Sequence, residues 1–206
     1  MTLEPKAIAT LKQKAKQGNA DAQFELGFMY HQGHGVPQDD SQAVSWFRKA
    51  AEQGDAYAQS NLGFMYHQGQ GVPQDDSQAV SWYRKAAEQG DAYAQSNLGN
   101  MYHQGHGVPQ DYAQAVSWLR KAADQGNAGA QFNLGIMYDS GQGVPQDYAE
   151  AYFWLDLATV GKLNGLTPEE AANTRDKAAS HLAPATLSRV QERARRWFEA
   201  HAATPQ

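Results

Sequence analysis

Seven histidines and two adjacent aspartate pairs are the residues of this chain whose types could do chemistry. Five of the histidines, His31, His34, His67, His103 and His106, recur at related places. Imidazole binds zinc at ~2.0–2.1 Å, and a site needs three or four ligands converging on one point. His31 with His34, or His103 with His106, supplies only two ligands near a helix end, so the imidazoles read as hydrogen-bonding groups of an open surface. Asp39-Asp40 and Asp75-Asp76 resemble paired carboxylates for acid–base work. Their place at the start of a helix explains them as caps and partners of the helix dipole. The absence of cysteine excludes disulfides, thiolate zinc sites and a cysteine nucleophile. No serine or threonine sits in a nucleophile elbow, and no glycine loop has phosphate-binding spacing. Neither a catalytic residue, a metal nor a cofactor is expected, and the chain does not read as an enzyme.

The histidines recur because the whole chain does. Residues 19–54, 55–90 and 91–126 are near copies at a period of 36, neighbours differing at six positions, and a looser copy runs over 127–162. Fixed periods of about 20–50 residues mark solenoids, whose units bury their apolar faces by stacking on one another. Each unit reads as two helices. In the first, helix A spans Ala20 to Gln32, with Ala22, Leu26, Met29 and Tyr30 at the helical period. Gly33 and Gly35 suit its C-terminus and the turn that follows. Pro37 holds Val36 extended, and Asp39 is placed to cap helix B. Helix B continues through Ala43, Val44, Trp46, Phe47, Ala50 and Ala51 until Gly54. Gly27 returns as Gly63, Gly99 and Gly135, which predicts a close helix contact that offsets a cost of about 1 kcal/mol against alanine. Trp46, Trp82, Trp118 and Trp154 recur at the packing period and are expected in the core. Residues 1–18 form an N-terminal capping helix, with Leu3 to Gln17 resembling a lone helix B. Residues 163–206 form C-terminal capping helices. Thr167-Pro168-Glu169-Glu170 starts one of them, and Leu187, Val190, Ala194, Trp197 and Phe198 form an apolar stripe on the last. The nearby Arg189, Arg193, Arg195 and Arg196 read as a solvated outer face.

The residues Ala22, Leu26, Gly27, Tyr30, Gly33, Gly35, Val36, Asp39, Ala43, Trp46, Lys49, Ala50, Ala51 and Gly54, repeated largely in the three units downstream, resemble the Sel-one-like repeat (SLR), a relative of the tetratricopeptide repeat. The resemblance covers residues 19 to about 160. It implies an all-α, right-handed α-solenoid of four helix-turn-helix units between helical caps. It also implies a role as an adaptor or scaffold, since the family shares no chemistry. One cysteine-rich branch is linked to β-lactam binding, which makes a cell-wall or β-lactam-binding or hydrolysing protein the alternative; this chain lacks those cysteines. A self-associating structural repeat protein is a third reading.

The helix A positions that differ between copies predict where a ligand would bind. They are Asp21/Tyr57/Tyr93/Gly129, Phe24/Ser60/Ser96/Phe132, Glu25/Asn61/Asn97/Asn133 and Phe28/Phe64/Asn100/Ile136. Spacings of three, four and seven residues put them on one face, opposite the packing stripe and expected to meet solvent. His31, His67 and His103 lie one turn further along. In a tetratricopeptide-like superhelix this face lines the concave groove. The candidate site is therefore Asp21, Glu25, Phe28, His31, Tyr57, Asn61, Phe64, His67, Tyr93, Asn97, Asn100, His103, Asn133 and Ile136. Aromatic and amide groups of this kind suit another protein or a peptide, because amides pair with a peptide backbone and aromatics give buried area at low entropy cost. Asn97 and Asn100 resemble the asparagine pair of a carboxylate clamp, without its lysines.

Length, composition and charge agree with this reading. The 206 residues are 41% hydrophobic and 19% charged, as in a folded chain. A net charge of −5 argues against nucleic acid. No apolar run approaches the ~18–20 residues of a membrane span, so no membrane insertion is expected. The start has no apolar segment of the kind a secretory signal carries. The compartment is left open between cytoplasm and, if a signal has been removed, periplasm or exterior. A monomer is expected, with end-to-end self-association of the solenoid as the alternative.

Overall fold

The computed structural model describes residues 5–161 and 167–202. Among them the chain is all helix, with no strand. The elements are α1 (Pro5–Lys16), α2 (Ala20–Gln32), α3 (Asp40–Glu52), α4 (Ala56–Gln68), α5 (Asp76–Glu88) and α6 (Ala92–Gln104). They continue with α7 (Tyr112–Asp124), α8 (Ala128–Ser140), α9 (Tyr148–Ala158), α10 (Pro168–Ser180) and α11 (Pro184–Ala202). Two positions assigned from sequence, the cap's start at Leu3 and the boundary between residues 162 and 163, lie outside the described residues.

Caps set the ends of the repeat helices, 13 residues long in each of α2 to α8 and 11 in α9. Asn19, Asp55 and Asn127 accept a bond from the third following amide at the starts of α2, α4 and α8. Asp39, Asp75, Asp111 and Asp147 do the same for α3, α5, α7 and α9. Each such cap is worth about 1 kcal/mol. At the far end of helix A, Gly33, Gly69 and Gly141 take the left-handed conformation and return their amides to Met29, Met65 and Met137. Thr167 and Glu170 form a reciprocal capping box at the start of α10.

The glycine within helix A earns its place by contact. A Cβ at Gly27 would stand 2.7 Å from the Phe47 ring, at Gly63 2.8 Å from Tyr83, at Gly99 2.7 Å from Leu119 and at Gly135 2.6 Å from Leu155. Helices A and B of one repeat therefore meet backbone against side chain. A second join links one repeat to the next. Gln23, Gln59, Gln95 and Gln131 are all buried. Their amides donate to the carbonyls of Ala15, Ala51, Ala87 and Ala123 at 3.0–3.1 Å. These carbonyls belong to the last turn of a helix, where the regular i→i+4 donor is missing; each also accepts the amide of the glycine three residues on, Gly18, Gly54, Gly90 or Gly126. Ala15 thus stands in α1 as Ala51 stands in α3, and α1 takes the place of a helix B ahead of the first repeat.

The described residues divide into two compact units. One runs to Gln95 and includes His106–Pro109; the other is Ser96–Gly105 with the chain from Gln110 onward. In the first, Ala43, Val44, Phe47, Ala51, Leu62 and Met65 form a buried cluster, with Phe24 and Phe64 packed against it. In the second, α9 is buried on almost every side. Val190 and Ala194 of α11 are buried with it, and Leu187, Trp197 and Phe198 pack alongside.

The tryptophans depart from expectation. Trp46, Trp82 and Trp118 are only half-buried. Lysine caps their outer faces, with Lys49, Lys85 and Lys121 Nζ 4.2, 4.0 and 4.0 Å from the ring centres. The rings lie at the outer edge of helix B, where an ammonium gains from the ring face while keeping its water. Trp154 alone of the four is fully buried. There Leu157 replaces the lysine and α11 covers the helix. The arginines divide as well. Arg195 and Arg196 pair with Glu192 in solvent, but Arg193 pairs with Glu150 and lies 3.8 Å over the Phe153 ring.

Candidate binding surface on the first helices of the repeats

The variable positions of helix A do not form one open face. Asp21, Tyr57 and Tyr93 are exposed and Glu25 is too, but the second row turns inward. Ser60 and Ser96 are buried, at 3% and 8% exposure, and Ser60 Oγ donates to Asp91 Oδ1 at 3.0 Å. Phe24 packs 5.8 Å from the Phe47 ring and 6.1 Å from Tyr57. This row lies in the seam between consecutive repeats, so the neighbouring unit covers it. Spacing along one helix cannot show that.

In the first unit the large apolar side chains left exposed on helix A are aromatic. Phe28 is 42%, Tyr57 66% and Tyr93 41% exposed. Asn61 is half-buried and its Nδ2 donates to the Tyr57 carbonyl at 2.8 Å, while Phe64 is half-buried against the core. Asp21 and Glu25 line a wide hollow of about 660 Å³ together with Leu11, Lys14 and Ala22. His31 and His67 are tied down locally. Their Nδ1 atoms lie 2.8 and 2.7 Å from Asp40 Oδ1 and Asp76 Oδ1, across the loop of their own repeat. Asp40 and Asp76, read from sequence as dipole partners, are thus also histidine anchors, while the capping is done by Asp39 and Asp75.

In the second unit the structure brings Asn100, His103, Asn133 and Ile136 around one pocket of about 210 Å³, completed by Gln104, Leu119 and Met137. Asn133 Nδ2 donates to Asn100 Oδ1 at 2.8 Å. Asn100 therefore meets Asn133 of the following repeat. Asn97, its expected partner in a carboxylate clamp, is half-buried in the same helix. His103 Nε2 lies 3.1 Å from Gln142 Oε1, and its ring is 5.3 Å from Tyr112. Sequence reasoning missed Gln104, Leu119, Met137, Tyr112 and Gln142. The signal was available for Tyr112 and Leu119, which are among the six differences between the second and third copies, but in helix B. Among the described residues no three histidine or acidic side chains converge as metal ligands. No helix among them is long and apolar enough to cross a membrane.

Helix pairs repeated along the chain and joined by glutamine and glycine contacts define an all-helical repeat scaffold. The Sel1 repeat matches residues 20–55, 56–91, 92–127, 128–159 and 184–202, and the chain belongs to the Sel1 repeat family. The fifth match falls on α11, which the sequence reading takes as a cap. Two solved structures are similar along 98% of this chain. One is a protective antigen present in uropathogenic Escherichia coli strains and displaying an SLR fold, at 38% identity and a TM-score of 0.85. The other is a Sel1 repeat protein from Oxalobacter formigenes, at 33% identity and a TM-score of 0.76. The chain spans 45% of the first and 80% of the second. No curated protein matches it. Sel1 repeat solenoids generally mediate protein–protein interaction and are typically non-catalytic.

Proposed function

We propose that this protein is an adaptor that binds a segment of another polypeptide on the helix A face of its repeats. The observation that carries this reading is the exposure of Phe28, Tyr57 and Tyr93. Four large apolar side chains are exposed among the described residues, the other being Val160, and three stand on helix A at positions where the copies differ. Most of each repeat's remaining apolar content is buried or, like Trp46, Trp82 and Trp118, half-buried under a lysine. Exposed aromatics of this kind supply contact area to a partner at small entropic cost. Amides on the first helices, Asn61 in the first unit and the Asn100–Asn133 pair in the second, are groups that bond an extended backbone.

A display library of unstructured peptides, selected on the immobilised parent, tests the reading. Segments enriched on the parent are expected to lose at least tenfold in affinity for Tyr57→Ala, Tyr93→Ala, both of which are exposed substitutions that leave the helices intact by circular dichroism. Equal retention by parent and variant would move binding off this face.

A further inference from the structure

Near-identical copies act as internal controls, and half of the third repeat's departures from the second gather around one pocket. The second and third copies differ at six positions: Phe64/Asn100, Gln70/His106, Asp76/Tyr112, Ser77/Ala113, Tyr83/Leu119 and Glu88/Asp124. Two of the six line the pocket of the second unit, and a third, Tyr112, packs on His103, which lines it too. Asn100 stands where the first two repeats carry Phe28 and Phe64, so a ring is lost. Leu119 stands where they carry Phe47 and Tyr83, so a second ring shrinks to a branched aliphatic side chain. Both now line the pocket. Tyr112 stands where Asp40 and Asp76 hold the histidines of the earlier repeats. Without that carboxylate, His103 lies against the Tyr112 ring and turns its Nε2 to Gln142 of the next repeat.

The pocket that results has an apolar floor and a polar mouth. Leu119 and Met137 are almost fully buried, at 0% and 2% exposure. Asn100, Asn133 and His103 are half-buried above them. No charged side chain lines it. Its volume of about 210 Å³ exceeds the roughly 150 Å³ of an apolar cavity that takes up benzene. One hydrogen bond joins Asn100 and Asn133. Whichever way each amide is turned, the pair keeps further donor and acceptor capacity, which is what a peptide group needs.

We infer that this pocket seats an aromatic side chain of the docked segment, whose own peptide group bonds the Asn100–Asn133 pair at the mouth. The partner thereby returns a ring at the position where the second repeat packs Phe64 against its core. The inference rests on the docking reading above and names the chemistry of one subsite. A carboxylate or ammonium is disfavoured there, because nothing charged lines the pocket to balance it.

The test is titration of the full chain with N-acetylphenylalanine methylamide, N-acetylalanine methylamide and N-acetylglutamate methylamide, read on the side-chain amide NMR signals of Asn100 and Asn133. Loss of a signal in Asn100→Ala or Asn133→Ala assigns it. The phenylalanine probe is expected to shift these signals saturably and to bind at least tenfold tighter than either other probe. Asn100→Phe, which installs the residue the sister repeats already accommodate, is expected to abolish that binding, followed on the Asn133 signals. Asn133→Ala keeps the floor and weakens the phenylalanine probe several-fold while leaving uptake of toluene unchanged. Equal shifts from the phenylalanine and alanine probes, or undiminished binding to Asn100→Phe, would overturn the seat. The peptide selection is independent of this result. Segments lost on Tyr57→Ala, Tyr93→Ala with no probe seated at Asn100 would remove the seat and keep the docking face, and a seated probe with no selected segment would do the reverse.

Discussion

Tyr83 shows how small differences between copies carry physical weight. Its side chain is fully buried, and its hydroxyl has no hydrogen-bond partner among the described residues. Phe47 fills the same place in the first repeat, and Leu119 and Leu155 fill it in the third and fourth. An apolar side chain is what the close approach of Gly63 needs, as Gly99 against Leu119 and Gly135 against Leu155 show; the hydroxyl is not needed. A buried hydroxyl left unpaired costs about 1–3 kcal/mol. Tyr83→Phe is therefore expected to raise the unfolding free energy by about 1 kcal/mol, read as a higher urea midpoint at unchanged slope. A lower midpoint would mean that the hydroxyl is bonded in solution. The same group sets a pH dependence. Burial first, then the nearby Tyr93, Asp76 and Asp91, pushes ionisation of Tyr83 far above the ordinary tyrosine range. With the folded value raised, its contribution is complete below the unfolded pKa of about 10 and is lost as pH rises beyond it, because the unfolded chain releases a proton that the folded chain keeps. Between pH 10 and 11 the parent should lose stability more steeply than Tyr83→Phe, by up to about 1.4 kcal/mol per pH unit. Parallel slopes would show that Tyr83 ionises as easily folded as unfolded.

Two glycines separate conformational strain from contact at the level of the repeat element. Gly54 and Gly71 both hold positive φ, at +97° and +69°. Around Gly54 a Cβ would meet nothing within 4 Å, whereas at Gly71 it would lie on the Asp40 carbonyl of the preceding repeat. Gly54→Ala bears the backbone term alone, about 1–2 kcal/mol. Gly71→Ala adds overpacking against a backbone that cannot rotate away, a further 1–3 kcal/mol or so. Thermal unfolding should place Gly71→Ala clearly below Gly54→Ala; equal midpoints would mean that adjacent repeats can slide apart freely. At this scale the sequence was a good guide. Ala20–Gln32 was legible because Ala22, Leu26, Met29 and Tyr30 keep the helical period and Gly33 marks its end chemically, and Gly27 was legible as a contact because a mid-helix glycine that returns in every copy needs a reason. What periodicity cannot show is which side of a helix its neighbour in the stack covers. Phe24 and Ser60 share a helical face with Tyr57 yet lie in the seam, and Trp46 recurs with the core yet sits at its outer edge under Lys49. The glutamine joins were hidden for a related reason: a polar residue invariant in four copies reads as solvated until its carbonyl partner, 8 residues earlier in the chain, is known.

A stack of like units must stop, and its last buried helix shows what stopping requires. Helix α9 buries Ala151, Tyr152, Phe153, Trp154, Leu155, Leu157 and Ala158, more apolar surface than its own repeat can cover, and a helix apolar on nearly every side needs protein all round it. In the second unit α10 and α11 both pack on it. The α11 side of that contact centres on Val190 and Ala194, flanked by Arg193 over Phe153 and by Gln191 Nε2 bonded to Tyr152 Oη at 3.2 Å. The stripe was readable in sequence as apolar residues at helical spacing; its target was not, since nothing in Val190 points to Trp154. The match of residues 184–202 to a repeat gives the physical logic. The closing helix presents to α9 the face that a further repeat would present, and an arginine-rich surface to solvent. Val190→Asp, which would bury an unpaired carboxylate at a cost of several kcal/mol, is expected to release α11 from α9. Trypsin should then cut after Arg193 and Arg195 at least tenfold faster than in the parent. Light scattering should show the variant's mass rising with concentration as the bared face around Phe153 and Trp154 finds other copies. A variant as resistant to trypsin as the parent would mean that α9 is held covered without α11.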